Sequence, residues 1–104
     1  MKNLVAGHTY ELENFENKDA QGQTLQFIHK ESTEEQPTVL HTVADGTTNE
    51  DVLAVLIDRM YFLQGKFPCR ENAIVITHLE EALMWLEKRT RDRQRRNVEG
   101  KNLK

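Results

Sequence analysis

Hydrophobic residues recur at helical spacing in the middle of the chain, directly after Thr47-Thr48-Asn49 and the acidic Glu50-Asp51. Threonine caps followed by first-turn acids are typical of a helix start. The apolar positions that follow lie three or four residues apart; they are Val52, Leu53, Leu56, Ile57, Met60 and Leu63. This pattern predicts a first helix that ends at Gln64-Gly65-Lys66, with Gly65 in the left-handed cap conformation.

A second, longer helix is predicted from Arg70 to about Arg96, after the break at Phe67-Pro68. Its seam has the spacing of a coiled coil and comprises Ile76, Leu79, Leu83 and Leu86. Because the connection is short, the two helices must run antiparallel. At about 1.5 Å per residue the second helix measures roughly 40 Å and the first roughly 27 Å, so the basic end of the second helix extends beyond the first.

In the N-terminal part of the chain, apolar and polar residues alternate as in strands, and turn-forming residues interrupt the alternation. His8–Phe15 and Thr24–His29 flank a polar segment rich in turn formers, which predicts an antiparallel pair. Pro37 bars a central strand from the acidic segment Glu31–Pro37, which we expect to be an exposed linker. A short third strand is then predicted to end at Asp45-Gly46, over Val39, Leu40 and Val43.

These patterns predict an α+β fold in which a small N-terminal antiparallel β-sheet precedes a C-terminal antiparallel two-helix hairpin. We expect one domain over residues 1–104, with a β-rich part over 1–46, the hairpin over 47–100 and a tail over 101–104. The second helix carries apolar residues beyond its seam, so we expect a homo-oligomer in which a second subunit covers them; they are Ile74, Val75, Ala82, Met84 and Trp85.

Composition favours the cytosol. Cys69 is the only cysteine, so an intramolecular disulfide is excluded and nothing indicates an oxidising compartment. No apolar run approaches the roughly 18 residues needed to cross a bilayer, so we expect no membrane partner.

The charge is distributed unevenly along the chain. Residues 1–51 hold three lysines against ten acids, whereas residues 52–104 hold eleven basic residues against seven acids. Within Lys88–Arg96 five arginines and one lysine accompany a single acid, Asp92. An anionic ligand is therefore expected at the end of the second helix.

No catalytic or metal-binding arrangement has a recognisable spacing. Among the histidines we find no His-x-x-x-His or Glu-x-x-His pair; they are His8, His29, His41 and His78. Cys69 lacks a Cys or His neighbour in sequence and is interpreted as a small buried or turn residue. We therefore predict no catalytic residue, no metal site and no cofactor, and a binding protein rather than an enzyme.

The basic run permits three interpretations: a solvated helix end, a nucleic-acid contact, or a pocket for a small phosphate-bearing ligand. Arginine favours the last two, because its planar fork binds phosphate bidentately and stacks on bases. The seam that begins at Asn72 turns from apolar to cationic at Thr90 and Arg93. Arg89 lies one turn before Arg93, so both guanidinium groups can face one ligand.

Phe62 and Asn72 are the other candidate ligand residues. Phe62 points about 120° away from Leu56, off the main apolar stripe, although a core or interface role is equally open. Asn72 either caps the second helix or reads a base. Since Asn72 and Arg93 are about 31 Å apart along one helix, a shared pocket needs two antiparallel hairpins.

The hairpin part of the chain contains four recognisable motifs: G-T-T-N-E-D-V-L at Gly46–Leu53, L-I-D-R-M at Leu56–Met60, K-F-P-C-R-E-N at Lys66–Asn72, and L-E-E-A-L-M-W-L-E-K-R-T at Leu79–Thr90. With these motifs the sequence resembles the phage hairpin domain shared by anti-Thoeris and anti-CBASS sponge proteins, over about Gly46–Gly100. The segment Gly7–Phe15 is similar to the anti-Thoeris branch, which places a small antiparallel sheet before the hairpin.

The resemblance implies sequestration without cleavage. Such proteins bind glyco-cyclic ADP-ribose, the signal made by the TIR enzyme of Thoeris, and some members hold cyclic di- or trinucleotides. The family's aromatic, amide and paired arginines match Phe62, Asn72, Arg89 and Arg93, between subunits of dimers or of hexamers built as trimers of dimers. Further candidate contacts lie at either end of the second helix and in the tail: Arg70, Arg96 and Gly100.

One position departs from the family. Members often end with Val-x-Gly followed by Thr, whereas Lys101 follows Gly100 here. If that tail lines a separate site for cyclic trinucleotides, Lys101 argues against this second activity. Two rival functions stay open: a nucleic-acid or regulatory partner-binding module that uses the basic helix end, and hydrolysis of the signal. Under the sponge interpretation the partner is a cyclic nucleotide, and nucleic acid is not a partner.

Overall fold

A computed structural model describes residues 1–96 of the chain. These residues form two compact units, a β unit over Met1–Thr48 and a helical unit that begins at Asn49. Antiparallel strands precede two helices, which confirms the predicted α+β fold class. The oligomeric state and the single domain stay predictions.

The β unit contains two small antiparallel sheets instead of the one that the sequence predicts. One has the order β1-β2-β3 and the other pairs β4 with β5. The predicted pair is β2–β3 and the predicted third strand is β5, whereas β1 and β4 were not predicted. The strands are β1 Lys2–Val5, β2 Thr9–Leu12, β3 Gln23–Gln26, β4 His29–Glu31 and β5 His41–Ala44.

Pairing across β2 and β3 positions the aromatic residues of this unit. Tyr10 lies opposite Leu25, and its ring meets the Phe27 ring edge to face at 6.0 Å between centroids, a favourable aromatic geometry. The segment around Thr47 later lies beside Phe27 and Ile28, and the Ile28 N–H donates to the Thr47 carbonyl at 2.8 Å. Gly46 allows this approach, because a Cβ there would lie 2.4 Å from the Gln26 carbonyl oxygen.

Two of the histidines that look scattered in the sequence stack on each other. The His8 and His29 rings lie 3.6 Å apart between centroids, with 5° between their planes. The Nε2 atom of His29 is 2.9 Å from Oε1 of Glu31. His8 lies in the turn after β1 and His29 begins β4, so the fold brings together residues that no sequence spacing connects.

The helical unit is the antiparallel hairpin that the spacing predicts. Helix α1 spans Asn49–Lys66 and α2 spans Arg70–Arg95, each within one residue of the predicted C-terminal end. Ile76 is the one buried hydrophobic residue within residues 1–96, at 6% exposure. The other seam positions of α2 are partly shielded: Asn72, Leu79, Leu83, Leu86, Thr90 and Arg93.

The three-residue turn between the helices is held by side chains. Cys69 is the N-cap of α2, where its Sγ accepts a 3.4 Å hydrogen bond from the Asn72 backbone N–H. Gln64 donates to the Cys69 carbonyl at 3.1 Å and accepts from the Cys69 backbone N–H at 3.0 Å. Cys69 is thus an exposed capping residue, and Gln64 fixes the end of α1 to the start of α2.

Gly65 corrects a prediction about that turn. It lies within α1, and Gly7 is the glycine with positive φ among residues 1–96. The Gln64 bonds to Cys69 close the turn without a left-handed glycine, so the helix continues to Lys66.

A second polar contact joins the helices further along the hairpin. The Tyr61 hydroxyl donates a 3.0 Å hydrogen bond to Oε2 of Glu80. This bond raises the pKa of Tyr61 above its ordinary value of 10.0, because ionisation would remove the donor and set a phenolate against a carboxylate.

Gly65→Ala should stabilise the chain by about 0.5–1 kcal/mol, because alanine loses less backbone entropy than glycine in a helix and a Cβ at Gly65 meets no atom within 4 Å. Urea unfolding at fixed protein concentration measures the change. Gly46→Ala is the control and should destabilise, since its Cβ would approach backbone atoms at 2.4 Å. A loss of stability in Gly65→Ala would contradict a helical Gly65.

Glu80→Gln should lower the pH at which Tyr61 ionises, because the carboxylate partner is then neutral. The Tyr10→Phe background leaves Tyr61 as the one tyrosine, so ultraviolet absorbance of tyrosinate reports it directly. The bond should stabilise the hairpin up to the ordinary pKa of 10.0 and be lost as pH rises through the higher folded-state pKa. Glu81→Gln is the control, and equal midpoints in the two variants would contradict the bridge.

Candidate ligand-binding site

The α2 seam changes from apolar to cationic along its length, as the sequence predicts. Ile76 forms the buried centre, and Thr90 and Arg93 continue the same partly shielded stripe near the C-terminal end. The start of α1 lies beside this part of α2. Glu50 lines a surface cavity of about 350 Å³ there with Glu87, Thr90 and Arg91. Of the arginines in the basic run, Arg91 thus lies beside the acids Glu50 and Glu87.

Arg89 and Arg93 lie one helical turn apart on α2. Arg89 is exposed, whereas Arg93 is partly shielded and has further interactions within the protein. Residues one turn apart share a face of a helix, so both guanidinium groups can reach one anion. Both arginines lie on α2 as the sequence predicts, and their role as a phosphate clamp stays a prediction.

Asp92, the one acid of the basic run, is bonded to two cations of that run. Its Oδ2 accepts from Lys88 Nζ at 2.8 Å, and its Oδ1 accepts from an Arg95 NH2 group. The Lys88 hydrogen bond is the main reason why the pKa of Asp92 lies below its ordinary value, and the two positive charges add to it. The sequence shows the charge count of this run but does not show which cations Asp92 holds.

Phe62 is exposed on α1, at 59%, so it does not contribute to the core of the hairpin. Lys66 lies one turn further on, and its Nζ is 5.1 Å from the centroid of the Phe62 ring. This is a cation–π distance. An aromatic ring with this exposure offers a surface on which a base can stack.

Asn72 is partly shielded in the first turn of α2. Its backbone N–H, and not its side chain, takes part in the helix cap. Within residues 1–96 its carboxamide makes no hydrogen bond, so both its donor and its acceptor stay available. Gln64 was not identified from the sequence, although its two bonds to Cys69 fix the turn that carries Asn72.

The four predicted site residues lie at opposite ends of one hairpin, as two predicted half-sites. Phe62 and Asn72 lie at the turn end, whereas Arg89 and Arg93 lie near the C-terminal end of α2. Helix α2 is continuous from Arg70 to Arg95, so Asn72 and Arg93 stay about 31 Å apart by helical rise. One chain does not bring the four residues together.

The other candidate contacts lie at the ends of α2. Arg70 is its first residue and is exposed. Arg96 is its exposed C-cap, and its backbone N–H donates to the Asp92 carbonyl at 3.1 Å. Gly100 lies outside the described residues.

Large apolar side chains remain exposed on both helices. On α1 Val55 is 64% exposed, and on α2 Trp85 is 62% and Met84 51% exposed. Ile74 and Val75 are also exposed, at 39% and 41%. The prediction that the second helix carries more apolar surface than its seam buries is confirmed within the chain.

Residues 1–96 hold no group of three or more His, Cys, Asp or Glu side chains with the geometry to hold a metal ion. Neither described helix is both long and apolar enough to cross a membrane.

Comparison with known proteins bears on the hairpin. The family model described as the Acb2/Tad1 hairpin domain matches residues 24–91. The chain is also similar to the protein named Thoeris anti-defense 1 of Bacillus phage SBSphiJ7, with 59% identity over 58 residues. That alignment covers 55% of this chain and 41% of the relative, so the chain spans less than half of that protein.

The family match begins within the β unit, at β3, and extends through α1 and most of α2. It therefore includes the turn that holds Asn72 and the start of the arginine-rich run, and it extends over more than half of the chain. The chain belongs to the Acb2/Tad1 hairpin-domain family.

Proposed function

We propose that this protein is a sponge that binds a cyclic nucleotide immune signal, glyco-cyclic ADP-ribose, and blocks Thoeris defence without degrading the signal. The observation that carries the proposal is the position of Phe62 and Asn72 at the turn end of the hairpin and of Arg89 and Arg93 near the C-terminal end of α2. Family membership and the similarity to Thoeris anti-defense 1 support the same function. The protein would act in the bacterial cytoplasm, where the signal is made.

The complete pocket is proposed to form between two chains. When two hairpins pack antiparallel, the turn end of one lies beside the arginine end of the other, and a twofold axis creates two equal pockets. The exposed apolar side chains of α1 and α2 supply surface for such contacts. A homodimer is the smallest assembly with this geometry, and a hexamer built as a trimer of dimers preserves it.

Each residue has a proposed role in the pocket. Arg89 and Arg93 pair with the pyrophosphate through charge-assisted hydrogen bonds. Phe62 stacks on the adenine, because its exposed ring is an aromatic platform. Asn72 hydrogen-bonds the base or the sugar through its available carboxamide. Arg70, Arg96 and Gly100 are proposed as additional contacts.

Sequestration suits this set of residues. A sponge needs stoichiometric capture and slow release, which stacking and charge-assisted bonds in a partly closed pocket provide. No step of bond cleavage is required, so a nucleophile and a general base have no role in the proposal. Cyclic di- and trinucleotides share the base and phosphate chemistry and are proposed as a second ligand class.

A nucleic-acid or regulatory partner-binding module is the second candidate function. It is favoured by the exposure of Arg89, Arg91, Arg95 and Arg96 at one helix end. Binding to a nucleic acid should weaken steeply with salt through counterion release. A closed pocket for a small ligand should weaken less.

Calorimetric titration with glyco-cyclic ADP-ribose tests the sponge directly. Arg89→Ala and Arg93→Ala should each weaken binding by about 10- to 100-fold, the loss expected for a hydrogen bond to a charged group. Arg59→Ala is the matched control, because Arg59 is exposed on α1 of the same hairpin. It should bind like the wild type.

The fate of the ligand separates sequestration from hydrolysis. Heat release of the bound ligand followed by chromatography should return it intact. Altered ligand would support an enzyme instead. Absence of glyco-cyclic ADP-ribose and cyclic di- or trinucleotide binding would overturn the proposed function.

Mixed assemblies test whether the pocket lies between chains. Phe62→Ala/Asn72→Ala and Arg89→Ala/Arg93→Ala chains, co-expressed with different tags and purified on both, should regain binding that neither variant has alone. Each mixed dimer has one intact pocket, so the stoichiometry should be about half that of the wild type.

The control pairs Phe62→Ala with Asn72→Ala chains. Both substitutions damage the same half-site, so each mixed dimer has a damaged turn end in both pockets and should not regain full-strength binding. Failure of the first mixture to regain binding would contradict a pocket shared between subunits.

A further inference from the structure

Asp92 holds two of the cations in a helix end that would otherwise attract any polyanion. Lys88–Arg96 contains six basic residues and one acid. Both carboxylate oxygens of Asp92 are bonded, one to Lys88 Nζ at 2.8 Å and the other to Arg95. Lys88 lies four residues before Asp92 and Arg95 three residues after it, so helical geometry brings all three side chains to one stripe.

This stripe differs from the one that carries the proposed phosphate clamp. Successive residues are rotated by about 100° around a helix, so Arg89 lies about 100° from Lys88, and Arg93 about 100° from Asp92. The two ion pairs of Asp92 therefore involve Lys88 and Arg95, which lie on a stripe next to the one that carries Arg89 and Arg93. The Lys88 hydrogen bond and the nearby Arg95 charge lower the pKa of Asp92, because both favour its charged form.

The two kinds of phosphate ligand use this charge differently. A nucleic-acid strand has a phosphate at every nucleotide and gains affinity from each cation that releases a counterion. A compact pyrophosphate ligand uses the cations that fit its pocket. Holding Lys88 and Arg95 in ion pairs therefore costs the polymer more affinity than it costs the small ligand.

We propose that Asp92 is a specificity-determining residue, which makes the arginine-rich end of α2 selective for a small phosphate-bearing ligand over nucleic acid by holding Lys88 and Arg95. The small-ligand half of this inference rests on the proposed function. Selectivity matters to a sponge, because sites occupied by cellular nucleic acid are not open to the signal.

The test is Asp92→Asn in the full chain, with two binding measurements. Fluorescence anisotropy with a labelled single-stranded DNA of about 12 nucleotides, a length in the range of single-strand binding sites, reports polymer binding. We expect it to tighten about fivefold or more at low salt, with the slope of log affinity against log salt steeper by about 1.4, at about 0.7 for each of two released cations on a single strand. Glyco-cyclic ADP-ribose binding should change by less than about threefold.

Two controls isolate the ion pairs from net charge. Asp58→Asn makes the same change of charge at an exposed position of α1 and should leave DNA binding near the wild-type level. Adding Lys88→Met and Arg95→Met to Asp92→Asn should abolish the gain. Circular dichroism checks that each variant keeps its helices.

Three outcomes would overturn the inference: an equal gain in Asp58→Asn, a gain that survives loss of Lys88 and Arg95, or equal gains for both ligands. Tight DNA binding by the wild type at physiological salt would overturn it too. Failure of the wild type to bind glyco-cyclic ADP-ribose and cyclic di- or trinucleotides would overturn the proposed function and with it the small-ligand half of this inference, whereas the DNA measurement still reports whether Asp92 restrains nucleic-acid binding.

Discussion

Packing between α1 and α2 along one seam is the constraint on which the candidate site depends. Ile76, the most buried residue of that seam, packs at its centre, and partly shielded leucines continue it on α2. Gln64 holds the turn at one end, and Tyr61 bridges to Glu80 on the other helix. Because both helices are continuous, packing along the seam fixes the distances between the candidate ligand residues.

The hairpin also separates two kinds of candidate ligand-binding group. The aromatic and amide groups lie at the turn, whereas the arginines lie where α2 approaches its C-terminal end. A helix does not shorten to bring its ends together, since each residue adds about 1.5 Å of rise. A nucleotide pocket built from these residues therefore requires a second chain, and the apolar surface left exposed by the seam gives that chain somewhere to pack.

Several cations at the arginine-rich end of α2 lie beside acidic residues. Asp92 engages Lys88 and Arg95, and Glu50 and Glu87 line a cavity with Arg91. Acids thus accompany cations on the surfaces that flank Arg89 and Arg93. This arrangement is compatible with a ligand of limited size, whereas a nucleic-acid surface needs an extended positive field.

The sequence by itself determined the hairpin, because helix formation depends on spacing of three and four residues and on caps within one turn. It also determined that the α2 seam changes from apolar at Ile76 to cationic at Arg93, and that Phe62 lies off the main apolar stripe of α1. Only the tertiary structure decided that the strands form two sheets, that His8 stacks on His29, and that Gln64 closes the turn while Gly65 stays helical. These features depend on partners distant in sequence or on competition between local contacts, and a periodic pattern carries neither kind of information.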